Sequence, residues 1–231
     1  MSDTSSSELT TAHLADGCIR IGIPVRCAPS GLKPLVPGMR LAGRVVPARH
    51  AGSVDVFLEA FERAAPGDVL VVDNGGRLDE ACVGDLVALE AQRAGLAGIV
   101  IWGLHRDTAD LTAIGLPVFS MGSLPTGPLT LRPRDPAALT EARVGEWTVT
   151  TDDVVVADAD GALFVPAGRT TEVSDAASRI RDTERTQASR IASGLTLREQ
   201  VGFAAFLAAR QADPALTFRE HLRRVGGAIE E

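Results

Sequence analysis

The sequence predicts an α/β fold with an appended helical segment, and three observations predict it. Two short apolar runs of buried-strand character, Val69-Leu70-Val71-Val72 and Ile99-Val100-Ile101, flank an amphipathic stretch with Leu86, Leu89 and Ala94 on it. Strand, helix and strand between Asp68 and Trp102 read as a βαβ crossover, which implies a parallel pair covered by the helix. From Thr170 the pattern turns helical, with Val173, Ala177, Ile180 and Ile191 near one face. At 231 residues, 45% hydrophobic and 23% charged, the chain suits one large domain or a domain with an appendage. The expected division is a disordered 1–8, a core over 9–169 and a helical extension over 170–231.

Taken in order, Leu9 to Cys18 reads as a short helix, and the Pro/Gly-rich stretch from Gly22 to Gly38 reads as ordered loop. Arg40 to Pro47 is a predicted strand. Ser53 to Ala64 is a predicted helix capped by Ser53, with Val56, Phe57, Ala60, Phe61 and Ala64 on one stripe, and Pro66-Gly67 stops it. Strand 68–73 ends in the turn Asn74-Gly75-Gly76, and a helix from about Val83 to Arg93 ends at Gly95. Strand 98–102, a helix from Thr108 to Ile114 and strand 116–120 come next. Thr148-Val149 is a short strand, and Asp160-Gly161 between Val154-Val155-Val156 and Leu163-Phe164-Val165 signals a hairpin. A second C-terminal helix runs from Leu195 through Phe203, Phe206 and Leu207.

Composition excludes several chemistries. The net charge of −7 and pI near 5.2 provide no overall basic field for nucleic acid. Lys33 is the sole lysine and lies in Gly31-Leu32-Lys33-Pro34, outside any Walker or buried-helix context, so Schiff-base, pyridoxal-phosphate and P-loop mechanisms are set aside. Tyrosine is absent. The three cysteines form no C-x-x-C pair and the four histidines no H-E-x-x-H pattern, which argues against a disulfide framework and the common zinc sites. No run approaches the ~18 apolar residues of a membrane span, and the start of the chain has no basic n-region followed by an apolar stretch. A cytoplasmic protein is expected.

The stretch from Gly75 to Asp107 carries the chemistry. Open α/β folds bind ligands at the carboxyl ends of parallel strands, where glycine-rich turns meet helix N-termini. One such end leads to Gly84-Asp85-Leu86-Val87, whose Leu86 and Val87 amides would be unpaired donors for a carboxylate or phosphate. The other gives Gly103-Leu104-His105-Arg106-Asp107. Two readings of Arg106-Asp107 stand on residue types alone. In one, they form a surface ion pair and Asp107 caps the adjoining helix. In the other, the guanidinium forks onto an oxyanion while the carboxylate holds a hard divalent cation.

Gly84-Asp85, twenty residues, then Arg106-Asp107, set between Asp68-Val-Leu-Val-Val-Asp73-Asn-Gly-Gly76 and Gly115-Leu-Pro-Val-Phe119, resembles the RraA-like family over about residues 9 to 169. The hairpin Asp153-Val-Val-Val-Ala-Asp-Ala-Asp-Gly161, ending in Phe164-Val-Pro166, is a second landmark. That family includes metal-dependent 4-hydroxy-4-methyl-2-oxoglutarate aldolases, which often decarboxylate oxaloacetate, and non-catalytic regulators that bind ribonuclease E. The resemblance implies a three-layer α/β/β sandwich of the swivelling-domain kind, assembled as a homotrimer or hexamer. It implies a 2-oxo acid substrate, Mg²⁺ or Mn²⁺ anchored by Asp107, and Arg106 on the carboxylate and keto oxygen of the pyruvyl half. It also implies that Asp85 orients a metal-bound water, and that Gly84 and the Leu86 and Val87 amides hold the carboxylate. The single lysine is consistent with it, because a pyruvate enolate must be neutralised by an iminium or by a metal with a cation.

Trp102 and His105 depart from the family pattern, and they read as a pocket floor and a wall or specificity residue. His13 and Cys82 read as structural. The acids Asp152, Asp153, Asp158 and Asp160 lack EF-hand spacing. The C-terminal segment reads as a helix anchored by Phe218, Leu222 and Val225, with Glu220, Glu230 and Glu231 as candidates for a distal carboxylate. A dinucleotide enzyme is disfavoured by the lack of G-x-G-x-x-G.

Overall fold

The computed structural model describes residues 9–225. The expected disordered lead and the acids Glu230 and Glu231 lie outside the described residues. In chain order the elements are α1 (Thr11–Arg20), β1 (Arg26–Cys27), β2 (Lys33–Pro34), β3 (Leu41–Arg49), α2 (Asp55–Arg63), β4 (Val69–Asp73), β5 (Ala81–Val83) and α3 (Asp85–Arg93). Next come β6 (Gly98–Trp102), β7 (Leu104–His105), α4 (Thr108–Ile114), β8 (Val118–Ser120), β9 (Glu141–Val144), β10 (Trp147–Thr150), β11 (Asp153–Asp158) and β12 (Gly161–Pro166). The chain closes with α5 (Thr170–Ala192), α6 (Leu197–Gln200), α7 (Phe203–Ala212) and α8 (Phe218–Val225). The described residues form two compact units, one of residues 10–12 with 24–171 and one of 13–23 with 172–225.

The larger unit is built on an eight-stranded sheet of order β1-β12-β11-β3-β4-β6-β8-β2. Its centre, β3-β4-β6-β8, is parallel, and antiparallel strands flank it. Alternate residues separate into two cores. Val46, Leu70, Val72, Ile99 and Ile101 meet Phe57, Phe61, Ala88, Ala91 and Leu111 of α2, α3 and α4. Val45, Val69, Val71, Val100 and Phe119 meet Ala142, Val144 and Val149 of the β9–β10 hairpin together with Val155 and Phe164. Helices, central sheet and second β layer give the expected three-layer α/β/β arrangement. A strand covered on both faces must be apolar at every position, which is why β4 and β6 read as unbroken hydrophobic runs. Each fully buried Val, Ile or Phe contributes roughly 1.5–3 kcal/mol of transfer free energy.

Several local expectations are corrected. Ser53 is not the helix cap; α2 starts after Val54, which makes no side-chain cap bond. Val83 ends strand β5 rather than starting a helix, because the backbone of residues 81–83 pairs in parallel with β7, and the helix begins only at Asp85. The strand at 147–150 has a partner, β9, that the sequence does not announce. The hairpin turns at residues 159–160, since Asp158 pairs with Gly161.

In the smaller unit, α1 and α5 run in close backbone contact. A Cβ at Gly17 would stand 2.8 Å from the Val173 carbonyl oxygen and 3.3 Å from the Ala177 methyl. Val173 and Ala177 of the expected stripe are buried, whereas Ile191 is exposed. His13 reaches Glu184 of α5 at 3.3 Å. Around α7 and α8, Phe203, Phe206, Phe218 and His221 form a cluster with ring centroids 5.0 to 6.0 Å apart. Leu222 anchors α8 as expected, but Val225 is exposed and the buried His221 takes its place, bonded through Nε2 to the Val201 carbonyl at 2.8 Å. Glu220 closes a capping box with Thr217, accepting from its amide at 2.9 Å and hydroxyl at 2.8 Å. Among the described residues no helix is long and apolar enough to cross a membrane.

Asp158 ties the entry of the larger unit to its hairpin. It accepts from the Thr11 amide at 2.8 Å, the Thr11 hydroxyl at 2.6 Å and the Asp160 amide at 3.1 Å. Burial pushes this carboxyl up, but the Thr11 and Asp160 donors and Arg40 outweigh it and hold it below the ordinary carboxylate value. A depressed native value means stability that is present above the unfolded pKa of about 3.9 and lost as pH falls through the native one. Asp158→Asn should therefore cost about 1–2 kcal/mol at pH 7 in urea unfolding, with the gap from the parent closing as pH falls below about 4.

Candidate active site

The carboxyl ends of β3, β4 and β6 deliver His50, Asn74 and the segment Gly103 to Asp107 to one edge of the parallel sheet. A cavity of about 310 Å³ opens there, lined by His50, Cys82, Asp85, Val87, Arg106 and Pro128 among others. This is the lower end of the ~300–1,000 Å³ typical of small-molecule sites, and it suits a small molecule better than a dinucleotide.

Arg106 and Asp107 are held by the pairing of β5 with β7. The Arg106 amide donates to the Val83 carbonyl at 2.9 Å. His105 locks the same turn, with Nδ1 at 2.7 Å from the Ser120 hydroxyl and Nε2 at 3.2 Å from that of Thr108. Both ring nitrogens are thus engaged, and His105 is a positioning residue rather than the expected cavity wall. Asp107 comes next with φ 59° and ψ 41°, the one non-glycine residue at positive φ among those described. A left-handed conformation costs a residue with a side chain roughly 1–2 kcal/mol. No side-chain cap bond to α4 compensates. The carboxylate turns instead to the Arg106 Nε at 3.3 Å and faces the Asp85 amide at 3.5 Å.

Glycines make room for this pair. A Cβ at residue 84 would stand 2.3 Å from Asp107 Oδ2 and 3.2 Å from Arg106 Nε. One at residue 127 would stand 2.7 Å from Arg106 Nη1. The structure therefore brings Gly84, Asp85, Arg106 and Asp107 together. It divides the two amides: Leu86 donates to the Asp85 carboxylate at 2.8 Å, while Val87 has no acceptor among the described residues. Leu86 is consequently not a free donor, because the acid at the start of the helix satisfies it first.

Other expectations are redrawn. Trp102 does not floor the cavity; its ring lies on Gly76, where a Cβ would come within 2.6 Å. Cys82 packs in β5 rather than in a helix, 3.8 Å from the Leu104 carbonyl, and burial pushes its thiol far up. It is no nucleophile at neutral pH.

Two residues carry no clear signal in the sequence. His50 lies immediately after β3 and stacks on Phe57 at 5.3 Å and 9°, with Nδ1 3.0 Å from Asn74 Oδ1. Its one sequence signal is its place after a buried strand. Glu80 is fully buried, within 3.4 Å of Arg77, Arg132 and the Leu129 amide. No local pattern could have paired it across some fifty positions.

Among the described residues no three His, Cys, Asp or Glu side chains converge as a metal cage. The nearby donors, Asp107 with Asp85, are carboxylates. Such a set suits Mg²⁺ or Mn²⁺, which keep several waters and take one or two protein carboxylates, and not a thiolate or imidazole zinc site.

The RraA-like family profile, Aldolase/RraA, matches residues 11–164. The chain is 30% identical over 158 residues to a Halalkalibacterium halodurans protein named "Putative 4-hydroxy-4-methyl-2-oxoglutarate aldolase", covering 65% of this chain and 71% of that one. It is 30% identical to Protein DlpA of Legionella pneumophila over 178 residues, which are 73% of this chain but span 28% of that larger protein. Streptomyces coelicolor RraAS2, titled an unusual member of the RNase ES inhibitor RraA protein family, superposes with a TM-score of 0.68 at 29% identity, covering 79% of this chain and 92% of that one.

The strain at Asp107 makes a stability test. Asp107→Gly should be more stable than Asp107→Ala by about 1 kcal/mol in urea unfolding. In a helix or strand the order is the reverse. Equal stabilities would show that the left-handed turn is not imposed by the surrounding structure.

Proposed function

Because the chain belongs to the RraA-like family, we propose that it is a divalent-metal-dependent lyase that cleaves a 4-hydroxy-2-oxo acid of the 4-hydroxy-4-methyl-2-oxoglutarate type, or decarboxylates oxaloacetate, through a pyruvate enolate. The observation that carries this reading is the Arg106–Asp107 pair, held in a strained turn against Gly84 beside a small cavity with a free Val87 amide. Aldolase names among relatives support the same class of chemistry.

In this reading Arg106 binds the substrate carboxylate and keto oxygen in a fork, and the Val87 amide at the start of α3 adds a donor for the carboxylate. Breaking the bond next to the keto group leaves charge on that oxygen, and a guanidinium fixed by its neighbours meets this charge without reorganising. Asp107 would hold Mg²⁺ or Mn²⁺, with Asp85 nearby. The cation would supply Lewis-acid neutralisation of the enolate oxygen. Asp107 also fixes Arg106 through Nε, leaving the terminal nitrogens for substrate. The buried Cys82 and the left-handed Asp107 hold the surrounding wall to one shape.

A protein-binding role has one observation in its favour, the likeness to RraAS2. It gives no reason for a strained carboxylate beside an arginine.

A pyruvate-coupled screen of 2-oxo acids separates the two readings. Pyruvate release should stop in EDTA and return with Mg²⁺ or Mn²⁺. Arg106→Ala and Asp107→Ala should each lower kcat/KM by at least about 10²-fold while the protein stays folded. Full turnover in chelator removes the metal, and no turnover of any 2-oxo acid together with capture of a ribonuclease favours the regulator.

A further inference from the structure

Resting on the lyase reading, we propose that His50 is a catalytic base for retro-aldol cleavage, taking the proton from the C4 hydroxyl of the substrate. His50 stands at the carboxyl end of β3, and its amide continues the ladder by donating to the Asp73 carbonyl at 2.9 Å. Two contacts fix its ring, and the second is itself held in place. One face lies on Phe57, which is fully buried, and Nδ1 meets Asn74 Oδ1; Asn74 is 2% exposed, with its backbone N–H donating to the Trp102 carbonyl at 3.1 Å. The Asn74 amide is oriented with Oδ1 toward the ring and with its buried Nδ2 lacking a partner among the described residues, and in that orientation Nδ1 carries the hydrogen and Nε2 bears the lone pair. Nε2 has no partner among the described residues, and the ring borders the same cavity as Arg106 and Val87. A buried imidazole whose one nitrogen is tied off and whose other is unused is built to accept a proton from a ligand.

Burial keeps the ring neutral. Burial lowers its pKa below the ordinary histidine value; the Asn74 bond and Glu80 raise it, and Arg132 and Arg77 lower it. Asp85 and Arg106 are the other charged groups bordering the cavity. A neutral base is therefore present at pH 7 and is lost as pH falls through the lowered value.

The step balances without a co-reactant. The C4 hydroxyl proton moves to Nε2 and the C4–O bond becomes a carbonyl. The C3–C4 electron pair leaves into the C2–C3 bond, forming the enolate beside Arg106. Carbon 3 then takes a proton from solvent, and the imidazolium returns its own to solvent. Oxaloacetate has no hydroxyl at C4, so its decarboxylation needs the enolate stabilisers and not this base.

That difference is the test. His50→Gln, assayed with metal, should lose about 10²–10⁴-fold in kcat/KM for cleavage of 4-hydroxy-4-methyl-2-oxoglutarate, while oxaloacetate decarboxylation stays within a few-fold of the parent. Arg106→Ala should lose both. In the parent, the cleavage rate should fall at acid pH on a limb matching the His50 titration read by NMR at its Cε1–H, and the decarboxylation profile should lack that limb. Should His50→Gln not fold, this pair of profiles decides. Unchanged cleavage by His50→Gln, equal loss of both activities, or coincident pH profiles would overturn the role of His50 and leave the lyase reading intact. A parent that turns over neither acid would overturn both.

Discussion

Residue 84 has no side chain, and the Asp107 carboxylate occupies the space that one would fill. This close approach of the β5–α3 junction to the β7–α4 turn is the constraint on which the site depends. It requires the pairing of β5 with β7, which sets the two backbones side by side. It also requires the left-handed turn at Asp107, for a carboxylate in a helical or extended residue at that point would be aimed elsewhere. The conformational cost of roughly 1–2 kcal/mol is offset by the two bonds that His105 makes on either side of the turn, each contributing about 0.5–1.5 kcal/mol. A histidine outside the lining of this cavity thus has a direct bearing on where a guanidinium points.

The parallel centre of the sheet explains why these groups meet. Strands β3, β4 and β6 run in register, with Ala48 beside Val72 and Val72 beside Ile101, so their ends rise to one level. The chain beyond each strand is polar and irregular: His50 after β3, Asn74 after β4, Gly103 after β6. The interior beneath is apolar and covered on both faces, which leaves the strand tips as the place where polar groups gather to face a ligand.

The legible parts of the chain are those in which one physical requirement dominates. Runs such as Ile99-Val100-Ile101 admit few structures besides a doubly covered strand, and α4 begins and ends where the sequence indicates, between Asp107 and Gly115. Strands β5, β7 and β9 are not visible in the sequence, because two to four residues are too few to establish a period, and each is stabilised by a partner that local pattern does not reveal. The acid-Arg-Asp constellation can be named from the sequence, but not which of its groups are already engaged. Leu86 reads as a free donor, yet its amide is taken by the adjacent carboxylate. His105 reads as part of a wall, yet both its nitrogens are bound. His50 draws no notice because Asn74 and Phe57, which give its ring a fixed orientation, are joined to it only by the fold. Satisfaction of hydrogen bonds is a property of the assembled structure.

Glu80 points to a further consequence. The segment that carries Gly127 and Pro128 to the cavity has no regular structure of its own between β8 and β9. It is tethered at Thr126, whose carbonyl accepts from the Ala81 amide at 2.9 Å, and at Leu129 and Arg132 through the buried carboxylate. Removing one partner of a buried charge costs about 3–5 kcal/mol, whereas side chains elsewhere on such a segment contribute little. The loop is therefore held largely by polar tethers, among them the Arg132 amide on the Ala51 carbonyl at 2.8 Å and Arg134 on Glu59, while side chains such as Leu129 and Leu131 stay exposed. Over evolutionary time its remaining side chains are free to diverge, so that descendants can alter which molecules they admit without rebuilding the machinery beneath.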